Sequence, residues 1–375
     1  MPMTGGVRHL HYIDWLRVLA TCFVVAHHTA QIYEPQIGTA LLAPFLTVNA
    51  GFGMALFFMI AGYFTPRSLA SKGTTGFLLH RLVGFGIPLV IFTLVIFAVI
   101  SYLAADTLLS FPRYFWQVYL GEWQVAFGPL WFLFHLLVYS LTVPPVLAIL
   151  RLPPLATGGR APGHAVLLAL VAALALMGGL THTLYPPLVW TNLFGVLPVE
   201  PAHLPQYLLM FAFGVAAGRT DWLATMPRRV GLIWLAIGIG AAASWYALGY
   251  LGPGIDAAPR RAFAIWEAFL CVGMCVGLVT FAREFFNRDN RVMRFLGECS
   301  YGVFLLHFLF VIGFSVALRS YEMPLLARPF AVAALSLTCS YALSAWLLSL
   351  LRWRVRHPAP RLDLPLAPTQ LPALS

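Results

Sequence analysis

The sequence predicts an all-α membrane protein, a polytopic helix bundle of about ten transmembrane helices with both termini in the cytoplasm. Three observations carry that prediction. Of the 375 residues, 60% are hydrophobic and only 10% are charged, with a mean hydropathy of +0.83, far from the roughly half-apolar, quarter-charged norm of soluble domains. The apolar residues come in blocks of about 18 to 25, the length a helix needs to cross a hydrocarbon core of about 30 Å at 1.5 Å per residue. Positive residues concentrate on alternate connections between those blocks. The alternating pattern of a transmembrane barrel is absent from the sequence.

Cutting the chain at its charged and Pro/Gly-rich interruptions gives spans near 13–33, 46–65, 82–104, 126–149, 164–184, 205–218, 230–250, 263–282, 299–318 and 329–351. The first contains Asp14 and Arg17 and no small-residue cleavage site before the next helix, so it reads as a retained helix rather than a signal peptide. The sixth is short. The 185–204 connection, with Tyr185-Pro186-Pro187 and Leu197-Pro198, reads as an outer loop or a re-entrant piece. After His357 the chain is rich in Pro and Leu without helical periodicity. It therefore divides into one transmembrane domain, 1–356, and an irregular cytoplasmic tail, 357–375.

The formal net charge is +10, but no basic patch interleaved with aromatics points to nucleic acid. With these spans, one set of connections holds seventeen Lys and Arg and the other only Arg113, Arg260, Arg261, Arg319 and Arg328. The richer side is cytoplasmic by the positive-inside rule and includes both termini. Arginine outnumbers lysine twenty-two to one, a bias of GC-rich coding that predicts a bacterial cytoplasmic (inner) membrane. Arg67 and the arginines of 283–294 read as orientation signals that meet anionic lipid headgroups. Cys22, Cys271, Cys275, Cys299 and Cys339 lie within or at the ends of apolar segments and suggest neither a disulfide framework nor a zinc knuckle. Cys271 and Cys275, one helical turn apart, read as small packing residues.

The first span carries a polar stripe. Arg17 and His28 are eleven residues apart, about three turns, which puts them on one face with roughly 16 Å between their levels. Asp14, Thr21 and Gln31 fall near the same stripe and His27 points away. Ionisable residues inside a span are costly unless they face protein or water, so they are functional candidates. The packing alternative is that Arg17 snorkels to the interface beside Asp14 and His28 is a hydrogen-bonded helix contact.

Several segments resemble the acyltransferase 3 family of membrane acyltransferases, which includes O-acetyltransferases of surface polysaccharides and succinyltransferases of periplasmic glucans. Asp14-Trp15-Leu16-Arg17, followed by ten residues and His28, is the most specific match. Phe57-Phe58-Met59-Ile60-Ala61-Gly62-Tyr63 resembles the family's Phe-Phe-x-x-Ser-Gly-Tyr with Ala61 for serine, which removes any hydroxyl chemistry at that position. Arg81-Leu82 with Pro88 resembles the basic entry to the third helix, with Gly84 where a second arginine is common. Leu130-Trp131-Phe132-Leu133, Phe213-Gly214 to Gly218-Arg219, and Ser300-Tyr301-Gly302 to His307 follow in the family's order.

The resemblance implies transfer from cytoplasmic acyl-CoA, a co-substrate, to a carbohydrate or similar hydroxyl acceptor on the other side, with no metal or tightly bound cofactor. O-acyl transfer needs a base, and His28 is the candidate. Glu34, Glu122 and Glu267 are candidates to orient it, Glu267 being the most deeply set in an apolar run. Arg17 and Arg81, with Arg67 behind them, are candidates for the donor's phosphates. Ser300, Tyr301 and His307, which lies about two turns beyond Ser300, are candidates to support the donor. His307 reads equally as a packing hydrogen bond. His135 reads as structural, and Trp131 as packing or pore lining. Direct attack on the thioester is favoured over an acyl-enzyme on His28. The competing class is a secondary transporter or flippase without acyl-transfer chemistry, and acyl-CoA binding discriminates the two.

Overall fold

The computed structural model describes residues 10–105, 107–156, 161–186, 189–193, 197–251 and 260–356. The proline-rich tail and most of the 251–262 connection lie outside the described residues. The chain is helical almost throughout. In order, α1 is His11–Ile37, α2 Thr39–Arg81, α3 Ile87–Ile91, α4 Ala98–Ala104, α5 Phe111–Tyr114, α6 Trp131–Ile149, α7 His164–Leu184, α8 Leu204–Thr220, α9 Trp222–Thr225, α10 Arg228–Leu251, α11 Arg260–Phe285, α12 Arg291–Ala317 and α13 Ala327–Arg356. Between α7 and α8 a small hairpin pairs β1, Thr191–Leu193, with β2, Leu197–Val199, in antiparallel register with Asn192 opposite Pro198.

Seven helical segments among the described residues are long and apolar enough to cross a membrane, and the difference from ten has three physical causes. The polar stripe dilutes α1 below the hydropathy of a plain span. With 17 residues, α8 is short of the typical 20. The expected second and third spans sit on one apolar stretch, Leu41–Ala104, because the 66–81 connection is itself helical.

That stretch turns back on itself. Arg81 Nη2 donates to Thr65 Oγ1 at 3.2 Å across sixteen residues, which a straight helix would hold about 24 Å apart at 1.5 Å per residue. The reversal falls at Gly73, whose φ of +67° and ψ of 173° are open to glycine and strained for other residues. Beyond it, π-helical turns at Leu82–Gly86 and Phe92–Phe97 loosen the second arm, leaving the Gly84 carbonyl to accept from Tyr301 Oη at 2.7 Å.

The first arm of α2 is the centre of the bundle, packed against α1, α6, α8, α10 and α11. Its seam with α8 is made by glycine: a Cβ on Gly62 would stand 2.3 Å from Phe211 O, on Gly214 2.1 Å from Met59 O, and on Gly218 2.0 Å from Tyr63 O. In lipid, where apolar surface alone does not drive helices together, such small-residue seams let backbones approach. Polar ties fix the register: Asn49 Nδ2 donates to Phe23 O of α1 at 3.0 Å and Gln206 Nε2 of α8 to Gly51 O at 2.8 Å. Cys271 and Cys275 are buried in the apolar core between α11 and α2. Asn290 caps α12, accepting from Val292 N at 2.9 Å and Met293 N at 3.1 Å, and satisfies two of the helix's orphan donors.

Candidate functional site

A cavity of about 110 Å³ opens between α1 and the first arm of α2, closed on its far side by Trp131 of α6, Tyr207 of α8, and Trp190 and Glu200 flanking the hairpin. Its walls are mostly apolar, with His27, His28, Gln31, Asn49, Glu200 and Tyr207 as the polar groups. On α1 the lining runs from Leu19 to Gln31, so the cavity begins two residues beyond Arg17 and ends at the turn that follows His28. Trp131 lies 5.2 Å from both the Trp190 ring, which it meets edge-on, and the Tyr207 ring, to which it is tilted, and it forms a wall of the cavity.

On the cavity wall His28 is held by three neighbours. Its Nδ1 lies 2.9 Å from Gln31 Oε1. The amide oxygen accepts, so the ring proton sits on Nδ1 and Nε2 presents a lone pair. His307 of α12 lies against it with ring centroids 5.2 Å apart, and Phe308 meets it edge-on at 5.4 Å. His307 Nδ1 donates to Phe304 O at 2.7 Å, and its buried Nε2 has no hydrogen-bond partner among the described residues. Two imidazoles therefore stand side by side, each with Nδ1 committed and Nε2 a potential proton acceptor. Of the carboxylates considered from sequence as orienters of His28, none makes this contact, and the orienting group is the amide of Gln31, one turn along the same helix.

Beyond the Leu19 limit of the lining are the arginines. Arg17, half-exposed, lies 3.8 Å from Asp14 and over the Phe64 ring at 5.6 Å. Arg81 donates to Thr65, next in sequence to Phe64, and is clamped between the Phe77 and Phe85 rings at 5.0 and 5.1 Å. The helical reversal at Gly73 thus gathers both guanidinium groups at one turn of α2. Arg67, near the same turn, is engaged with Asp221 at 2.7 Å, and Asp221 also accepts from the buried Tyr63 hydroxyl. Tyr301 reaches the same region through Gly84 O and rests near the Phe85 ring at 6.4 Å. Ser300 is turned onto its own helix, donating to Leu296 O at 2.9 Å. Arg283 is occupied locally, donating to Leu223 O and Ala224 O at 3.0 Å and to Met226 O at 2.6 Å.

A third group of side chains surrounds Glu267, a candidate from the sequence, with histidines and a second carboxylate that the sequence did not single out. Glu267, 4% exposed, is engaged with two histidines: His203 Nε2 lies 2.8 Å from Glu267 Oε1, and His182 Nε2 lies 3.6 Å from Oε2. The other ring nitrogen of His203 lies 2.8 Å from Glu200 Oε1, and Glu200 reaches the cavity wall. The hairpin that delivers Glu200 is fixed by His135, whose Nε2 donates to Pro198 O at 2.9 Å while Nδ1 meets Tyr139 Oη at 3.1 Å. His135 is thus a structural histidine, with Tyr139 one turn along its own helix and Pro198 beyond it. The sequence signal for this group was Glu200-x-x-His203 at a helix start, too common a spacing to stand out alone.

The arrangement offers a pair of imidazoles beside a mostly apolar cavity and, beyond the Leu19 limit of its lining, a group of arginines, which suits a proton transfer coupled to capture of an anionic ligand. No curated protein and no solved structure matches the chain. Residues 10–346 match the acyltransferase 3 family model, described as an acyltransferase domain, a reach that takes in α1 with its stripe, both arms of the reversed helix, α12 and most of α13. The chain belongs to the acyltransferase 3 family, and it is a membrane acyltransferase.

Proposed function

We propose that the protein is an O-acyltransferase that takes an acetyl or succinyl group from cytoplasmic acyl-CoA and delivers it to a hydroxyl of a glycan or similar acceptor on the opposite side of a bacterial cytoplasmic membrane. The observation that supports this reading most is the cavity between α1 and α2, lined by His28 and reaching down α1 to Leu19, two residues short of Arg17. Acyl-CoA is a co-substrate, consumed in each turnover and leaving as free CoA.

In this reading the donor's phosphates meet Arg17 and Arg81, whose planar guanidinium forks match phosphate oxygens. Tyr301 steadies the π-helical turn beside Arg81, and Ser300 packs below it. The acyl group extends up the apolar passage. The acceptor hydroxyl gives its proton to His28 Nε2 as its oxygen bonds to the thioester carbonyl carbon. The carbon–sulfur bond breaks and the departing thiolate takes up a proton. Gln31 holds the His28 tautomer, and His307 Nε2 offers a second acceptor to the hydroxyl or to the protonated His28. Glu267 acts at one remove, through His203 and Glu200.

The topology that serves this reading has about ten crossings with both ends cytoplasmic. The two arms of Leu41–Ala104 cross once each, α1 crosses despite its stripe because Asp14 and Thr21 are buried against protein and His28 lines the cavity, and α8 crosses as a short helix against the thick wall of α2. The seventeen-to-five asymmetry of positive residues supports that orientation. The experiment is transfer of radiolabel from acyl-CoA to acceptor in inverted membrane vesicles. His28→Ala should lower the initial rate by about 100-fold or more, the contribution of a positioned base; an undiminished rate would remove His28 from the chemistry. A covalently acylated protein trapped after donor alone would replace direct attack with an acyl-enzyme.

A further inference from the structure

The cluster of His182, His203, Glu267 and Glu200 touches neither the arginines nor His28, and the indirect role given to Glu267 leaves its own chemistry unused. Its residues come from the end of α7, the start of α8 and the first turns of α11, so three helices and the hairpin converge on it. All four side chains are buried, at 1%, 3%, 4% and 5% exposure respectively. α7 packs against both α11 and α8, so the convergence is tertiary and not a consequence of local spacing.

One nitrogen from each of the two histidines and one oxygen of Glu267 lie within 4.8 Å of one another. Tetrahedral zinc, with bonds of about 2.0 to 2.2 Å, places its ligand atoms roughly 3.4 Å apart. The 2.8 Å between His203 Nε2 and Glu267 Oε1 and the 3.6 Å between His182 Nε2 and Oε2 bracket that spacing. Two neutral imidazoles and one carboxylate are the donor set that borderline divalent metals take, and leave a fourth position open.

Glu200 supplies a second, independent feature. It sits on the far nitrogen of His203 at 2.8 Å. A metal-bound histidine ordinarily gives its other N–H to a carboxylate, which fixes the tautomer and raises the ligand's basicity. The charge also fits. Two carboxylates and two imidazoles form a neutral group with two added protons or with one divalent cation, and a buried ensemble must carry one or the other.

We propose that His182, His203 and Glu267 bind one first-row divalent metal ion, of which zinc suits the donor set best, with Glu200 orienting His203. Binding displaces the protons that otherwise neutralise the cluster, the His203 Nδ1–H staying with Glu200. The centre sits behind the cavity wall to which Glu200 contributes, and it ties the starts of α8 and α11 to the end of α7. This departs from the sequence expectation of no metal, and it stands whether or not the acyl-transfer reading is right.

The test is metal content of the full chain, purified in detergent without chelator and again after stripping and incubation with Zn2+ alone, read by mass spectrometry of the metal. The expected result is about one metal ion per chain, falling at least tenfold in His182→Ala and Glu267→Gln and unchanged in His80→Ala, whose side chain is exposed. Co2+ loading should give the absorption of a four- or five-coordinate site in the wild-type protein. Should the variants fail to fold, the wild-type stoichiometry and the Co2+ spectrum decide. Less than a tenth of an ion per chain before and after Zn2+ incubation overturns the proposal and leaves a protonated hydrogen-bond cluster. Equal metal in folded wild type and variants overturns the ligand assignment.

Discussion

The seam between α2 and α8 yields a prediction in which one substitution has opposite outcomes at different glycines. In Gly218→Ala the new Cβ would stand 2.0 Å from Tyr63 O, where ordinary contact begins at 3.4 Å, so about 1.4 Å must be found along that direction. The obstructing atom is backbone, so the two helices themselves must part. Overpacking of this kind costs about 1 to 3 kcal/mol, and the upper half applies where no side chain can swing aside. The alanine recovers up to about 1 kcal/mol of helix propensity, for a net loss of about 2 kcal/mol. Gly240→Ala on α10 and Gly179→Ala on α7 meet nothing within 4 Å and keep only the gain. Thermal unfolding in detergent should show Gly218→Ala lower by about 2 to 3 °C and the two controls unchanged or higher. A Gly218→Ala protein as stable as Gly240→Ala would refute the close approach of these helices.

Further outcomes follow from the site. Gln31→Leu removes the acceptor on His28 Nδ1 and should lower kcat about fivefold, the worth of roughly 1 kcal/mol for one neutral hydrogen bond, with donor affinity unchanged in steady-state kinetics. Asp221→Ala strands the buried Tyr63 hydroxyl and should cost about 1 to 3 kcal/mol in thermal unfolding. Arg67→Ala, whose pair with Asp221 is more than one-third exposed on both sides, should cost under about 1 kcal/mol. Tyr301→Phe frees the Gly84 carbonyl and should weaken acyl-CoA binding severalfold by calorimetry while leaving the fold intact, because Arg81 loses its neighbour's support and not its own contacts.

Much of the helix pattern was legible because its punctuation is local. The 164–184 span and α7 coincide, bounded by Pro162-Gly163 before and Tyr185-Pro186 after, residues that end helices by geometry alone. The stripe from Arg17 to His28 was legible because 3.6-residue periodicity puts it on one face. The 66–81 connection was not: its charges, Arg67, Lys72 and Arg81, read as a loop, yet only Gly73 interrupts the helix, and charges at a helical hairpin tip cost nothing outside the hydrocarbon. His307 beside His28 is a pairing of helices at opposite ends of the chain, carried in sequence only by the family resemblance. The Glu200, His203, Glu267 and His182 cluster was invisible for the same reason, since His203 and Glu267 are separated by sixty-four residues and each alone is a histidine or glutamate at a helix end.

The central claim is that an acyl-CoA binds at the Arg17 and Arg81 end of a passage leading to His28. Thermal stabilisation of the detergent-purified protein by a panel of acyl-CoAs tests it most directly, with Arg17→Ala and Arg81→Ala alongside. A ligand that binds only the folded state adds about 2.7 kcal/mol at a hundred times its dissociation constant. Such a shift is expected with one acyl-CoA, reduced in both arginine variants and kept in His28→Ala. Folded protein that no acyl-CoA stabilises would contradict it.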